Sequence, residues 1–140
     1  MDEAASGSAT GRSILVVDDD EAILQLAAAC IERALGREYR VLLARTGEEA
    51  LATVGRERPD LILLDIILPG IDGFEVCRRL KDSRTTSGIP IIFLTGRIEQ
   101  ADVEEGLSLG GDGYVMKPFN AVTLAAQIAE LLPSGGKQAG

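Results

Sequence analysis

The 140-residue sequence predicts a single doubly wound α/β domain, a five-stranded parallel sheet of order 2-1-3-4-5 with five helices on its faces. Three observations carry this. Short continuous apolar runs recur along the chain, as expected of strands buried on both faces. Segments with helical spacing of apolar residues separate them, which is the alternation of a parallel sheet. Right-handed crossovers then leave few topologies, and the 2-1-3-4-5 order is the commonest at this size.

Residues 1–12 are small and polar without periodicity and are expected to be a disordered lead. Ile14-Leu15-Val16-Val17 is the first strand and runs into Asp18-Asp19-Asp20-Glu21. Ile23, Leu26, Ala27, Cys30, Ile31 and Ala34 share one face of the first helix, which Gly36 stops. Tyr39 to Ala44 is the second strand. Thr46-Gly47-Glu48-Glu49 has the signature of a helix start, and Pro59 bars that helix from continuing. Leu61-Ile62-Leu63-Leu64 is the third strand and ends on Asp65.

A third helix opens near Asp72-Gly73 and carries Phe74, Cys77 and Leu80; a polar loop follows through Ser87. Pro90 to Leu94 is the fourth strand and ends at Thr95-Gly96. A helix near Ile98 to Leu109 places Val103 and Leu107 on one face, weakened by Gly106. Gly113 to Met116 is the fifth strand and ends at Lys117-Pro118. Ala121 to Leu132 is the last helix. The domain is expected to span 13–132, with 133–140 a flexible tail.

Composition narrows the chemistry. The net charge is −8, which disfavours nucleic-acid binding through a basic patch. No apolar run reaches the length of a membrane span and no signal peptide is seen, so a cytoplasmic location is expected. The chain has no histidine, which removes imidazole acid–base chemistry and any role as a phosphohistidine carrier. Cys30 and Cys77 fall in apolar helical patterns and read as small buried hydrophobes. Lysine occurs only at 81, 117 and 137.

Open parallel sheets bind ligands beyond the carboxyl ends of their strands, where the strand order reverses. The predicted strand ends supply Asp18 and Asp19, Asp65, Thr95 and Lys117; the second strand adds only Ala44 and Arg45. Each group has a plainer explanation. The Asp18–Asp20 run can cap a helix, Thr95 can be a turn residue and Lys117 a solvated one. Together those explanations require a coincidence at every one of these positions, on the one rim where chemistry is expected. Three carboxylates and one amine call for a hard divalent cation with oxygen ligands, and Mg2+ suits them. Phosphoryl transfer to Asp65 fits: the metal and Lys117 offset the phosphoryl charge, and Thr95 donates a hydrogen bond.

The motifs Leu15-Val16-Val17-Asp18-Asp19-Asp20, Leu64-Asp65 with Pro69-Gly70 and Asp72-Gly73, Leu94-Thr95-Gly96, and Tyr114-Val115-Met116-Lys117-Pro118-Phe119 resemble those of two-component response regulator receiver domains. The resemblance spans about Ser13 to Leu132 and implies a flavodoxin-like fold of the chemotaxis-regulator type. It implies Asp65 as phosphorylation site, Asp19 and Asp65 as direct Mg2+ ligands, Asp18 acting through water, and the Ile67 carbonyl as a further ligand. It implies a cis Lys117-Pro118 bond. It implies a switch in which Thr95 moves toward the phosphoryl group and Tyr114 turns inward, altering the face of the fourth helix, fifth strand and fifth helix.

In similar proteins two further positions set phosphoryl lifetime; here they are Ile67 and Arg97, neither an acid nor an amide that could orient water, so slow self-dephosphorylation is expected. The final helix has no Lys or Arg and one acid, Glu130, unlike regulators that dimerise through basic residues there. The phosphodonor implied is a histidine kinase or phosphotransfer protein, and an unknown downstream protein or output domain would read the result. Two alternatives remain open in the sequence. One is a receiver-like interaction module that is never phosphorylated; the other is an enzyme on a flavodoxin-like fold, for which no flavin-stacking Trp is present.

Overall fold

The computed structural model describes residues 11–96 and 100–132. Its strands are β1 (Ser13–Val17), β2 (Arg40–Ala44), β3 (Leu61–Asp65), β4 (Ile91–Thr95) and β5 (Gly113–Met116). Its helices are α1 (Glu21–Leu35), α2 (Gly47–Glu57), α3 (Gly73–Lys81), α4 (Gln100–Ser108) and α5 (Ala121–Leu131), with a short 3-10 turn at Gly36–Glu38. The five strands form one parallel sheet in the order β2-β1-β3-β4-β5, as the sequence predicts.

Alternation along the central strands divides the core between the two faces. Ile14 and Val16, Leu61 and Leu63, and Ile92 and Leu94 pack with Leu24, Ile31, Leu124 and Ile128 of α1 and α5. Leu15 and Val17, Ile62 and Leu64, and Ile91 and Phe93 pack with Ala50, Val54, Val76 and Leu80 of α2 and α3. Both sides of β1, β3 and β4 are therefore dry, which is why these strands read as unbroken apolar runs.

Helix starts follow local chemistry. Asp20 caps α1 by accepting from the Ala22 N–H, Asp72 caps α3 through the Glu75 N–H, and Asn120 caps α5 through the Thr123 N–H. At α2, Thr46 accepts from the Glu49 N–H while the Glu49 carboxylate accepts from the Arg45 N–H. α2 goes no further than Pro59 allows: it ends at Glu57, and Arg58, directly before the proline, leaves the helical region for a left-handed conformation with φ 51°.

The differences from the sequence reading are small and sit at edges. β2 begins at Arg40 rather than Tyr39, and β4 runs from Ile91 to Thr95, so Thr95 belongs to the strand. Arg12, expected in the lead, accepts a hydrogen bond from the Arg40 N–H at 2.9 Å, extending the β1–β2 ladder. The expected start of the helix at Ile98, the lifetime position Arg97, most of the lead and the 133–140 tail lie outside the described residues.

At the amino edge of the sheet, Asp60 accepts from the Ser13 N–H at 2.9 Å and its own N–H donates to the Ser13 carbonyl at 2.8 Å. Leu131, at the end of α5, lines the same surface cleft as Pro59, Asp60, Ile89 and Pro90. This edge is the one opposite the acids.

Burial predicts where substitutions hurt. Leu63→Ala, in a fully buried site, should cost about 3 kcal/mol in chemical denaturation. Val122→Ala, at a position 81% exposed, should stay within about 0.5 kcal/mol.

Candidate functional site

The parallel register brings the carboxyl ends of β1 and β3 level. Val17 pairs with Leu64, so the next residues, Asp18 and Asp65, stand side by side. Both are buried, at 1% and 6% exposure, whereas Asp19 is exposed. Carboxylate oxygens of Asp18, Asp19 and Asp65 all lie within 4.8 Å of one another. Asp20 is spent as the α1 cap, so the plainer explanation of the acidic run accounts for that residue and leaves Asp18 and Asp19 to the rim.

Lys117 completes the cluster. Its N–H donates to the Thr95 carbonyl at 2.7 Å, which carries the β4–β5 ladder one residue beyond β5. The Lys117-Pro118 peptide is cis, as the resemblance implies. Lys117 Nζ reaches Asp18 Oδ2 at 2.7 Å and Asp65 Oδ2 at 3.3 Å. The contact to Asp18 Oδ2 is ionic rather than directional, and that oxygen has no well-angled donor although it is buried. The other oxygens are held: Asp18 Oδ1 accepts from the Asp20 N–H at 2.9 Å and Asp65 Oδ1 from the Ile67 N–H at 3.3 Å.

Electrostatics follow from this packing. Burial, then the neighbouring Asp18 charge, push the Asp65 carboxyl up to about 6; Lys117 and the Ile67 N–H oppose the rise. Burial alone would lower the Lys117 amine, but its close contact to the Asp18 carboxylate and the charges of both acids outweigh it and raise the amine. An all-oxygen acidic cluster, two of its three carboxylates buried, with one undirected carboxylate oxygen fits a hard divalent cation.

The sequence reading places Asp18, Asp19, Asp65 and Lys117 correctly on one rim. Thr95 is buried at the end of β4, paired in register with Met116 next to Lys117. Ile67 is 72% exposed beside the acceptor. Tyr114 lies on the other side of β4: its ring packs on Phe93 at 5.4 Å and its hydroxyl donates to the Asp102 carbonyl at 2.7 Å. Lys81, another of the scarce lysines, is structural and donates to the carbonyls of Ser87 and Ile89. Both cysteines are buried and free, and burial pushes the Cys77 thiol up to about 11.

One residue escaped the sequence reading. A Cβ at Gly73 would collide with the Asp65 carbonyl oxygen and stand 2.8 Å from Ile66 Cα. The bare Gly73 N–H instead donates to the Ile66 carbonyl at 2.8 Å, docking the start of α3 on the backbone next to Asp65. Its only signal in the sequence is its place after the cap Asp72.

Comparison with known proteins agrees with this geometry. The response regulator receiver domain model matches residues 14–129. The chain belongs to that family. As a receiver domain of two-component systems it is 45% identical over 127 residues to the transcriptional regulatory protein AfsQ1 of Streptomyces coelicolor, covering 90% of this chain and 53% of that protein. It is 42% identical over 121 residues to the alkaline phosphatase synthesis transcriptional regulatory protein PhoP of Bacillus subtilis, covering 86% and 48%. The chain spans about half the length of these curated relatives. Chemotaxis protein CheY4 of Vibrio cholerae superposes with a TM-score of 0.80 at 31% identity, covering 86% of this receiver and 98% of that chain. The fold is therefore the flavodoxin-like one of CheY-type receivers. Among the described residues no helix is long and apolar enough to cross a membrane.

The raised Asp65 value makes a stability prediction. The folded state holds this proton more tightly than the unfolded chain, so Asp65 lowers stability as pH climbs from its ordinary 3.8 through about 6. In a chelator, Asp65→Asn should be more stable than the parent by about 2 kcal/mol at pH 7.5. The advantage should fade below pH ~4, and denaturation midpoints across that range check it.

Proposed function

We propose that the receiver works as a phosphorylation-dependent switch in which Asp65 accepts a phosphoryl group from a phosphohistidine of a sensor histidine kinase or phosphotransfer protein. What carries the proposal is Lys117 Nζ lying between Asp18 Oδ2 and Asp65 Oδ2, at 2.7 and 3.3 Å. An amine held there offsets part of the charge of two buried acids in the resting protein and is in place for the oxygens of an arriving phosphoryl group.

In the transfer a carboxylate oxygen of Asp65 forms the O–P bond as the P–N bond breaks, and the imidazole nitrogen leaves with the bonding pair. With a value of about 6, Asp65 is largely ionised at neutral pH and able to attack. Asp19 and Asp65 would ligate Mg2+ directly, with the Ile67 carbonyl, and Asp18 through water. Bound there, Mg2+ supplies positive charge against the acids and the phosphoryl oxygens. The buried Thr95 hydroxyl donates to a phosphoryl oxygen on the face away from the acids.

The modification adds about −1.5 to −2 of charge and strong acceptor oxygens at the rim. Thr95 and Tyr114 pass this to the face of α4, β5 and α5, which a downstream protein or attached output domain reads. The chain assists its own phosphorylation and slow dephosphorylation and has no separate substrate. Its net charge of −8 argues against direct nucleic-acid contact by the receiver. A never-phosphorylated interaction module is the competing reading, and nothing in an intact acid, hydroxyl and amine set favours it.

Beryllofluoride with Mg2+ mimics the aspartyl phosphate and tests the proposal by NMR. Shifts around Asp65, Thr95 and Tyr114 are expected, and they should vanish in Asp65→Asn; shifts that persist in that variant would sink the idea. The apolar Ile67 side chain and Arg97 offer no group to orient an attacking water. Labelled phosphate on the isolated protein should accordingly outlast minutes, and loss within seconds would overturn that part.

A further inference from the structure

Gly106 sits in the middle of α4, where helix propensity favours almost any other residue. Its backbone lies outside the left-handed region, so conformation does not demand glycine. Space does. A Cβ at Gly106 would collide with Tyr114 Oη and stand 2.9 Å from Phe93 Cε2 and 3.1 Å from Tyr114 Cζ. A Cβ at Gly111 would likewise collide with Phe93 Cε2.

Phe93 has no room to retreat. It is fully buried, and its other side meets Phe74 edge-on with centroids 5.4 Å apart at 74°. Tyr114, its register partner on β5, leans on it at 5.4 Å and 36°. The Tyr114 hydroxyl is then shared between the Asp102 and Val103 carbonyls of α4, at 2.7 and 3.2 Å. An aromatic row thus runs from α3 across β4 to β5 and ends in the gap left by Gly106.

We propose that Gly106 is the positioning residue of the switch: the space of its missing side chain is the seat of the inward Tyr114 ring, so α4 and the tyrosine take this packing only together. The proposal rests on the reading of Asp65 as phosphoacceptor for its link to the signal. By thermodynamic reciprocity, if modification of Asp65 favours the inward ring, closing the seat must weaken whatever occupies Asp65.

Tyr39 and Tyr114 are the only tyrosines and there is no Trp, so ring-labelled tyrosine gives two resolvable reporters. In Gly106→Ala the Tyr114 ring signals should move and lose their contacts to Phe93, while those of Tyr39 stay. Beryllofluoride affinity in Mg2+ should fall about tenfold. In a Tyr114→Ala background the same Gly106→Ala change should leave affinity unaltered. If Gly106→Ala alone is too unstable to study, Gly106→Ala with Tyr114→Ala should melt no lower than Tyr114→Ala, because loss of the Tyr114 ring both empties the seat and opens the space beside Phe93 into which that ring can shift from the new Cβ. Unmoved Tyr114 signals, an affinity loss of equal size with and without the Tyr114 ring, or a double variant less stable than Tyr114→Ala would overturn the proposal. Absence of beryllofluoride binding to the parent protein would instead overturn the phosphoacceptor reading, and the tyrosine signals would still decide the seat.

Discussion

Asp18 and Asp65 stand side by side at the ends of the two central strands, buried where water cannot separate their charges. Two such acids repel, and most of the architecture around them answers that repulsion. The compensating amine comes from beyond the far edge strand. Adjacent strands lie about 4.8 Å apart, so β5 is about 10 Å from β3, farther than a short cation could span. The Lys117 N–H bond to the Thr95 carbonyl ties the residue to the end of β4, and a four-carbon stem covers the rest. A shorter or rigid cation would leave the pair exposed to its own repulsion. The same arrangement explains why Asp65 keeps a raised value while bonded to a lysine: burial and Asp18 outweigh the amine.

Much of this was legible in the sequence because the relevant physics is local. Apolar runs ending on Asp18, Asp65, Thr95 and Lys117 reveal strand ends, and a parallel sheet forces strand ends onto one rim. Cap residues such as Thr46 and Asp72 could be read from spacing alone. What stayed hidden depends on tertiary distance. Gly106 reads as a helix-weakening residue until Phe93 and Tyr114 are seen against it. Gly73 reads only as part of a helix start until its N–H is found on the Ile66 carbonyl. Tyr114 could be assigned to β5, but its hydroxyl partner lies on a different element, and no periodicity encodes that choice.

The two glycines act in opposite directions from the same site. Gly73 lets a helix close down on the acceptor strand, so the backbone at Asp65 and Ile66 is held from below by α3. Gly106 lets a side chain close down on a helix, with the Tyr114 hydroxyl on the Asp102 carbonyl of α4. A glycine marks each contact because only its missing Cβ permits such approaches.

The amino edge of the sheet has its own consequence. Ser13 and the Pro59–Asp60 turn are tied together there, and Leu131 ends α5 against the same cleft. Both ends of the described domain thus leave from the side opposite the acids. Polypeptide joined at either end starts its path away from the rim, so cargo can be tethered to this receiver without covering the acids.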